Sequence, residues 1–461
     1  MPTVAVDVDY LVVGAGAAGL AFTDALIDHA DVRVAIVDRR RAAGGHWLDD
    51  YSFVRLHQAS AFYGVASTPL GGGRVQTSGP EAGLHERATG AEVCDYFAAV
   101  LERLVATGRV TFQGGCDYVG DRRFVADESG QSYEVPERCR IVDASYLSPA
   151  IPARTPPPFV VDAGARVVPV NELVRLGDVP RQIVIVGSGK TATDAIVWLV
   201  EHDVDPDVIC WVRPRDPWML NRAVVQPDPA VFVNMAADIM SCAAASDSID
   251  DLFLRLEDAG VMLRVDRAVT PTMAKSPTLA QWELDRLRRI ERVVRHGHVR
   301  AVGSSRLVLD DGEVALDPAA VVVHCAADGL RRPSIVPIWQ PDAIRPQPVR
   351  AGFPCLAAAL AGYVEATRAA DDDKNRICPA NSFSNAPADW CAMQVRGSRA
   401  TAAFGAEPDI RAWLDGVALN PVRTPPDDAG RAALAAASER LAAAAGDGIS
   451  RLAYFAGSEL A

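Results

Sequence analysis

Two glycine clusters hold the chemistry that is readable in this chain. Gly14-Ala15-Gly16-Ala17-Ala18-Gly19 directly follows the apolar run Tyr10-Leu11-Val12-Val13. Glycines at that spacing let a strand turn tightly, let the backbone approach a pyrophosphate, and let the next helix pack on the strand. The start of that helix adds free amides and a partial positive charge, both of which suit phosphates. Leu20 to Ala30 reads as the helix and Arg33 to Val37 as the next strand, which ends at Asp38 with Arg39 behind it. A carboxylate there accepts hydrogen bonds from a ribose hydroxyl and repels a 2′-phosphate. Gly14, Ala15, Gly16, Ala18, Gly19, Asp38 and Arg39 are therefore candidate dinucleotide-binding residues.

The same order recurs in mid-chain. Gln182 to Val186 is a buried-type strand, followed by Gly187-Ser188-Gly189-Lys190-Thr191-Ala192, a helical run from Ala195 to Glu201, and a strand from Val208 to Val212. Alanine in place of the third glycine still permits close packing. This strand ends at Arg213, with Arg215 two residues on and no acid at the ribose position. Guanidinium groups there suit a 2′-phosphate, which favours NADPH over NADH; otherwise they are solvated loop charges. Gly187, Ser188, Gly189, Lys190, Thr191, Arg213 and Arg215 form the second candidate set. Gly189-Lys190-Thr191 also imitates the end of a triphosphate-binding loop, but Val184 stands where that motif needs its first glycine.

The 461 residues exceed one compact core and allow about three domain-sized units. Hydrophobic residues at 49% against 23% charged supply enough apolar material for sizeable cores. The formal charge of −13 argues against a nucleic acid or an anionic membrane as partner. No apolar run reaches membrane-spanning length, and Asp7 and Asp9 replace the positive charge of a secretory leader, so a cytoplasmic location is expected. Nine cysteines include no C-x-x-C pair and no zinc-ligand spacing, so neither a neighbouring redox disulfide nor a metal site is expected.

The elements that must position the glycine clusters follow from periodicity. Ala91 to Thr107 carries Val93, Tyr96, Phe97, Val100, Leu101 and Leu104 at helical spacing. Prolines at 149, 152, 156, 157 and 158 read as an extended connector. Arg306 to Leu309 and Glu313 to Leu316 flank Asp310-Asp311-Gly312 as a hairpin, and Ala320 to His324 is a further strand. Ala429 to Ala445 reads as a surface-packed helix. The fold class is therefore α/β, with two Rossmann-like dinucleotide-binding domains. The division expected from the family resemblance that these motifs carry is 1–158 and 317–461 as a split first domain, with 159–316 inserted as the second.

An acid-terminated site suits FAD and an arginine-terminated site suits NADPH, so hydride would pass from nicotinamide to flavin. Here the sequence resembles the class B flavin-dependent monooxygenases. The likeness rests on Gly14-x-Gly16-x-x-Gly19, on Gly44-Gly45-His46-Trp47 after the acid-terminated strand, and on Gly187-x-Gly189-x-Thr191-Ala192 with Asp194. Val142 to Tyr146 resembles the family's first chain crossing, and Asp317 with His324 to Gly329 its return strand. The resemblance spans roughly Asp9 to Leu330. It implies that Gly45, His46 and Trp47 lie beside the flavin and that Asp328 belongs to the cofactor set. It also implies O2 and a small organic substrate as co-reactants, the substrate being oxidised through a C4a-oxygenated flavin. A homodimer is the assembly to consider.

The chain also departs from that pattern. The fingerprint F-x-G-x-x-x-H-x-x-x-W is missing, since Phe159 to Arg181 contains neither histidine nor tryptophan. Where many members place an asparagine near the flavin, this chain reads Arg55-Leu56-His57-Gln58-Ala59-Ser60. His57 or Gln58 would have to donate the stabilising hydrogen bond, or His57 is an ordinary satisfied residue under a loop. Trp47 either stacks near the flavin or fills the domain seam. Lys374 to Gln394, rich in Asn and Ser around Phe383 and Trp390, is either a loop closing over substrate or a plain surface loop. The alternative to oxygen transfer is an NAD(P)H-dependent flavoprotein reductase or dehydrogenase.

Overall fold

The structure, a computed structural model, describes residues 2–177, 179–327, 329 and 332–457. The first glycine cluster sits on a parallel sheet ordered Val110–Gly114, Val34–Asp38, Tyr10–Val13, Arg140–Asp143. Leu11, Val12 and Val34 to Val37 are sealed on both faces, which is why these strands read as continuous apolar runs rather than alternating ones. The helices Ala17–His29 and Gly90–Ala106 cover the sheet. The second begins in a capping box: Glu92 N donates to Thr89 Oγ1, and Thr89 N donates back to Glu92 Oε2.

Distant sequence completes this domain. Ile344 forms a parallel bridge to Val142 beside the outer strand. The helix Pro354–Thr367 then lies against Ala17–His29. The approach is close enough that a Cβ on Gly362 would stand 2.3 Å from the Phe22 carbonyl oxygen.

The second glycine cluster sits on a parallel sheet ordered Val167–Pro169, Val321–His324, Ile183–Val186, Ile209–Val212, Val293–Val294. This corrects the expected boundary at 316/317. Val321–His324 does not return the chain to the first domain; it pairs on both sides within the second sheet, where its apolar residues are sealed. The crossing comes just after it, where Ala150 N donates to the Gly329 carbonyl at 3.1 Å, so the outgoing and returning chains run side by side.

Between Ile209–Val212 and Val293–Val294 the chain makes an excursion that joins the two halves. Its helix Pro229–Ala244 packs on the helix Asp428–Ala456, with Gly448 meeting the Met240 backbone. That last helix is longer than expected and buries Leu452, Ala453 and Phe455. Phe232, Met235 and Phe253 from the excursion share one core with Phe22, Phe353 and Trp390.

Candidate active site

The first glycine turn is held by the acid that follows it. Ala15 N donates to Asp38 Oδ2 at 2.7 Å, and Arg40 N donates to Asp38 Oδ1 at 2.8 Å. Asp38 thus shapes the turn while its remaining lone pairs stay available to a ligand. Gly19 is obligatory for packing, because a Cβ there would stand 1.9 Å from the Gly14 carbonyl oxygen. Gly44 N donates to the Ala15 carbonyl at 3.0 Å, which docks the second motif onto the first. A Cβ on Gly45, whose φ is +60°, would lie 2.9 Å from Gly16 Cα. The two motifs therefore meet backbone to backbone.

Their meeting point opens into a cavity of about 750 Å³, within the range of small-molecule and cofactor sites. Its walls include Gly14, Gly16, Ala18, Asp38, Arg39, Gly45 and His46 from the expected set. They also include residues from farther along the chain: Asp143 to Ser145 at the end of the strand Arg140–Asp143, Gln347, Cys355 and Phe383. No acid occupies the first turn of Ala17–His29, so its amides face an anion unopposed. A close-approach glycine turn, an acid with spare lone pairs and a long cavity fit a dinucleotide. Cys355 is sealed, and burial pushes its thiol up to about 12. All nine cysteines are free, and two of them, Cys116 and Cys355, line the cavity.

Trp47 does not line the cavity. Its Nε1 donates to the Tyr63 hydroxyl at 2.7 Å, and its ring packs against the cores of both domains. It fills the seam. His46 stacks on it, with Nε2 3.8 Å from Asp50 Oδ2. Burial, with Arg40 nearby, lowers His46 to about 4. Burial, reinforced by Asp49 and Asp194, raises Asp50 to about 7.

At the second turn, Gly187 has φ +133° and a Cβ there would stand 3.0 Å from the Cys325 carbonyl oxygen, whereas Gly189 faces open space. Ser188 is buried and Thr191 partly so. Lys190 opens the helix Lys190–Glu201 but is engaged by Asp194 and by Glu283, the latter at 3.5 Å. Both expectations for Arg213 required an exposed guanidinium, and the structure corrects them. The side chain is 1% exposed, lies 4.5 Å over the Trp211 ring and pairs with Asp216 at 3.1 Å. The aromatic face and the carboxylate together draw it inward. Burial lowers its pKa to about 10. Arg215 stays partly exposed and donates to Asn385 Oδ1 at 2.8 Å. Asp328 lies outside the described residues.

His57 and Gln58 sit in the seam between the two domains. The Thr278 amide donates to His57 Nδ1 at 3.3 Å, which leaves the proton of the neutral ring on Nε2 as a donor. Burial, with Lys190, Arg222 and Arg87 adding to it, lowers His57 to about 3 and keeps it neutral. Gln58 is buried, and its amide makes no hydrogen bond among the described residues. Beside them lies an ion network that sequence patterns did not suggest. Arg222, fully buried, bonds Glu81 at 2.7 Å, Glu283 at 2.6 Å and the His57 carbonyl at 2.8 Å. Arg87 forks onto the same Glu81 at 2.5 and 3.0 Å. Tyr51 OH donates to Asp194 at 2.7 Å. Three cations thus face three carboxylates across the seam.

The Lys374 to Gln394 segment is not a surface loop. Lys374 is 2% exposed and paired with Glu365 at 2.6 Å, and Asn381, Ser384 and Trp390 are buried. Trp390 supplies core contacts, which outweigh the polar composition. Phe383 alone from this stretch reaches the cavity.

The model of an NAD(P)-binding Rossmann-like domain matches residues 12–61, the stretch from the first glycine turn to the 3₁₀ turn Ser60–Phe62. Polycyclic ketone monooxygenase from the thermophilic fungus Thermothelomyces thermophila superposes with a TM-score of 0.52, at 12% identity over 97% of this chain and 89% of that one. The fold is thus that of two-dinucleotide-domain flavoprotein monooxygenases. In sequence, the chain is 40% identical over 423 residues to the uncharacterized protein Rv2000 of Mycobacterium tuberculosis, covering 91% of this chain and 78% of that protein. The same figures hold for the uncharacterized protein Mb2023 of Mycobacterium bovis. By this similarity the chain belongs to the family represented by these mycobacterial proteins.

Proposed function

We propose that the protein is an NADPH-dependent FAD monooxygenase acting on a small organic substrate. The observation that carries this reading is the cavity where Gly16 and Gly45 abut, because it joins a phosphate-binding turn to the Gly-Gly-His-Trp motif in one site. FAD, when bound, supplies the hydride acceptor and the activation of O2. The turn from Gly14 to Gly19 would hold the pyrophosphate and Asp38 a ribose hydroxyl. Gly187 to Gly189 would carry NADPH, with Arg215 as the exposed guanidinium for its 2′-phosphate. His57, neutral with its proton on Nε2, and Gln58, with an uncommitted amide, do not line the cavity but stand in the seam beside it. From there they would donate hydrogen bonds toward the reacting edge. The partners in this reading are the substrate and O2, with no nucleic acid and no membrane, in the cytoplasm. No helix among the described residues is long and apolar enough to cross a membrane.

The test is the visible spectrum of the purified protein before and after NADPH, followed by hydrogen peroxide release per NADPH consumed. The reading requires retained flavin that bleaches with NADPH, and at least tenfold more peroxide from His57→Ala. A preparation without flavin overturns it. A second reading, a flavoprotein reductase without oxygen transfer, is favoured by one observation: the fingerprint F-x-G-x-x-x-H-x-x-x-W is missing from Phe159 to Arg181. It predicts quinone reduction by NADPH with no oxygenated product.

A further inference from the structure

Arg350 stands apart from the other inward-pointing arginines. Arg222, Arg87 and Arg140 each bond carboxylates. Arg350 forms no ion pair or hydrogen bond among the described residues, and its neighbours are the ring faces of Phe232 at 5.0 Å and Phe353 at 5.9 Å. No charged group among the described residues acts on it, and burial lowers its pKa to about 10. It nevertheless keeps partial exposure, and none of its nitrogens is among the sealed polar atoms, so the guanidinium keeps a narrow opening to the space outside the core.

Its place in the chain ties that space to the cavity. Arg350 lies between Pro348 and Pro354, which both line the cavity, although Arg350 itself does not. Phe353 caps the helix Pro354–Thr367, whose first turn faces the cavity, and is fixed by edge contacts with Phe62 at 5.1 Å and Phe232 at 5.5 Å. The rings hold the guanidinium plane and leave its nitrogens free, which is the arrangement of a preorganised anion clamp. Cofactor phosphates have their own donors in the Gly14 to Gly19 turn, so this cation is not needed for them. One unassisted guanidinium matches a single carboxylate better than a phosphate dianion.

We propose that Arg350 binds the carboxylate of the substrate, which makes the substrate class small organic carboxylates. This rests on the reading of the neighbouring cavity as the flavin site. Both can be tested on one sample of the full chain as purified. Calorimetric titration with benzoate, hexanoate, neutral benzamide and phenyl phosphate reads Arg350, and visible absorbance reads flavin. Benzoate or hexanoate should bind the wild type and bind Arg350→Gln at least tenfold more weakly, with benzamide indifferent to the substitution. Arg350→Lys, which keeps the charge without the fork, should fall between them, and it carries the test if Arg350→Gln fails to fold. Equal carboxylate binding by wild type and Arg350→Gln, no carboxylate binding by wild type, or tighter binding of phenyl phosphate would each overturn the proposal. Absence of flavin from the wild type would fail the cavity reading while the calorimetry still judged Arg350.

Discussion

Replacing Arg222 by methionine would leave Glu81 and Glu283 facing each other in the interior without the cation that joins them. Arg222 is 0% exposed and the two carboxylates 9% and 4%. Removing one partner from a buried ion pair costs about 3–5 kcal/mol. The whole network, of which Arg222 is one of three cations, gives a figure of the same order for Glu283. Burial alone would raise the pKa of Glu283, but Lys190, Arg222 and Arg87 reverse this and bring it from 4.5 to about 2. A depression of that size corresponds to about 3 kcal/mol at neutral pH. Its sign is that of a depressed acid: the stabilisation is full above pH ~4.5 and is lost as pH falls toward ~2. Arg222→Met should therefore melt roughly 6–12 °C below wild type at pH 7, taking a cooperative unit of about 150–250 residues. Acid should narrow that gap, because the stranded carboxylates of the variant escape their penalty by taking up protons. Differential scanning fluorimetry at pH 7 and pH 5 measures both effects. A variant melting within 2 °C of wild type at pH 7 would refute the reasoning. A large gap unchanged by pH would also refute it, since that pattern belongs to lost packing rather than stranded charge.

Three further outcomes follow from the same geometry. Gly45→Ala should cost at least about 1–2 kcal/mol for its left-handed backbone and lower the flavin absorbance per protein, because the new Cβ meets Gly16 Cα. Asp50, held near 7 by burial, is penalised as pH rises from ~4 to ~7, so Asp50→Asn should stabilise by up to about 4 kcal/mol at pH 8 and little at pH 4, read by urea denaturation. His57, lowered to about 3, stays neutral through the working range, so the pH profile of NADPH oxidation by His57→Gln should match wild type in shape between pH 5 and 8, whatever its height.

The two Rossmann-like units were readable because each motif needs only contiguous residues: a buried strand, a glycine turn and a helix start. The close contact of Gly16 with Gly45 was not, since glycine spacing reports backbone freedom and says nothing of what the freedom admits. Position 321 went to the wrong domain because an apolar strand carries no label for the sheet it joins; pairing partners decide that. Arg213 read as a phosphate ligand by position alone, whereas Trp211 two residues earlier held the signal for its burial. The seam network escaped because Glu81, Arg87, Lys190, Arg222 and Glu283 come from segments with no shared periodicity. Arg350 escaped for the opposite reason: an arginine without a partner is visible only once every partner has been sought in space.

The splitting of the first domain also sets a clock on its assembly. Tyr10, on the first strand, bonds Glu365 on the helix that covers it, and these residues are 355 positions apart. A ribosome adding about 5–20 residues per second needs roughly 20–70 s to bridge that distance. Throughout that interval the apolar face of Ala17–His29 has no covering helix, and the cavity lacks the wall that Pro354 and Cys355 later supply. The nascent chain therefore passes through a long stage that is sticky and unable to close around a ligand. Expression yield should accordingly respond to holding chaperones early, and to cofactor supply only after synthesis has passed the late helix.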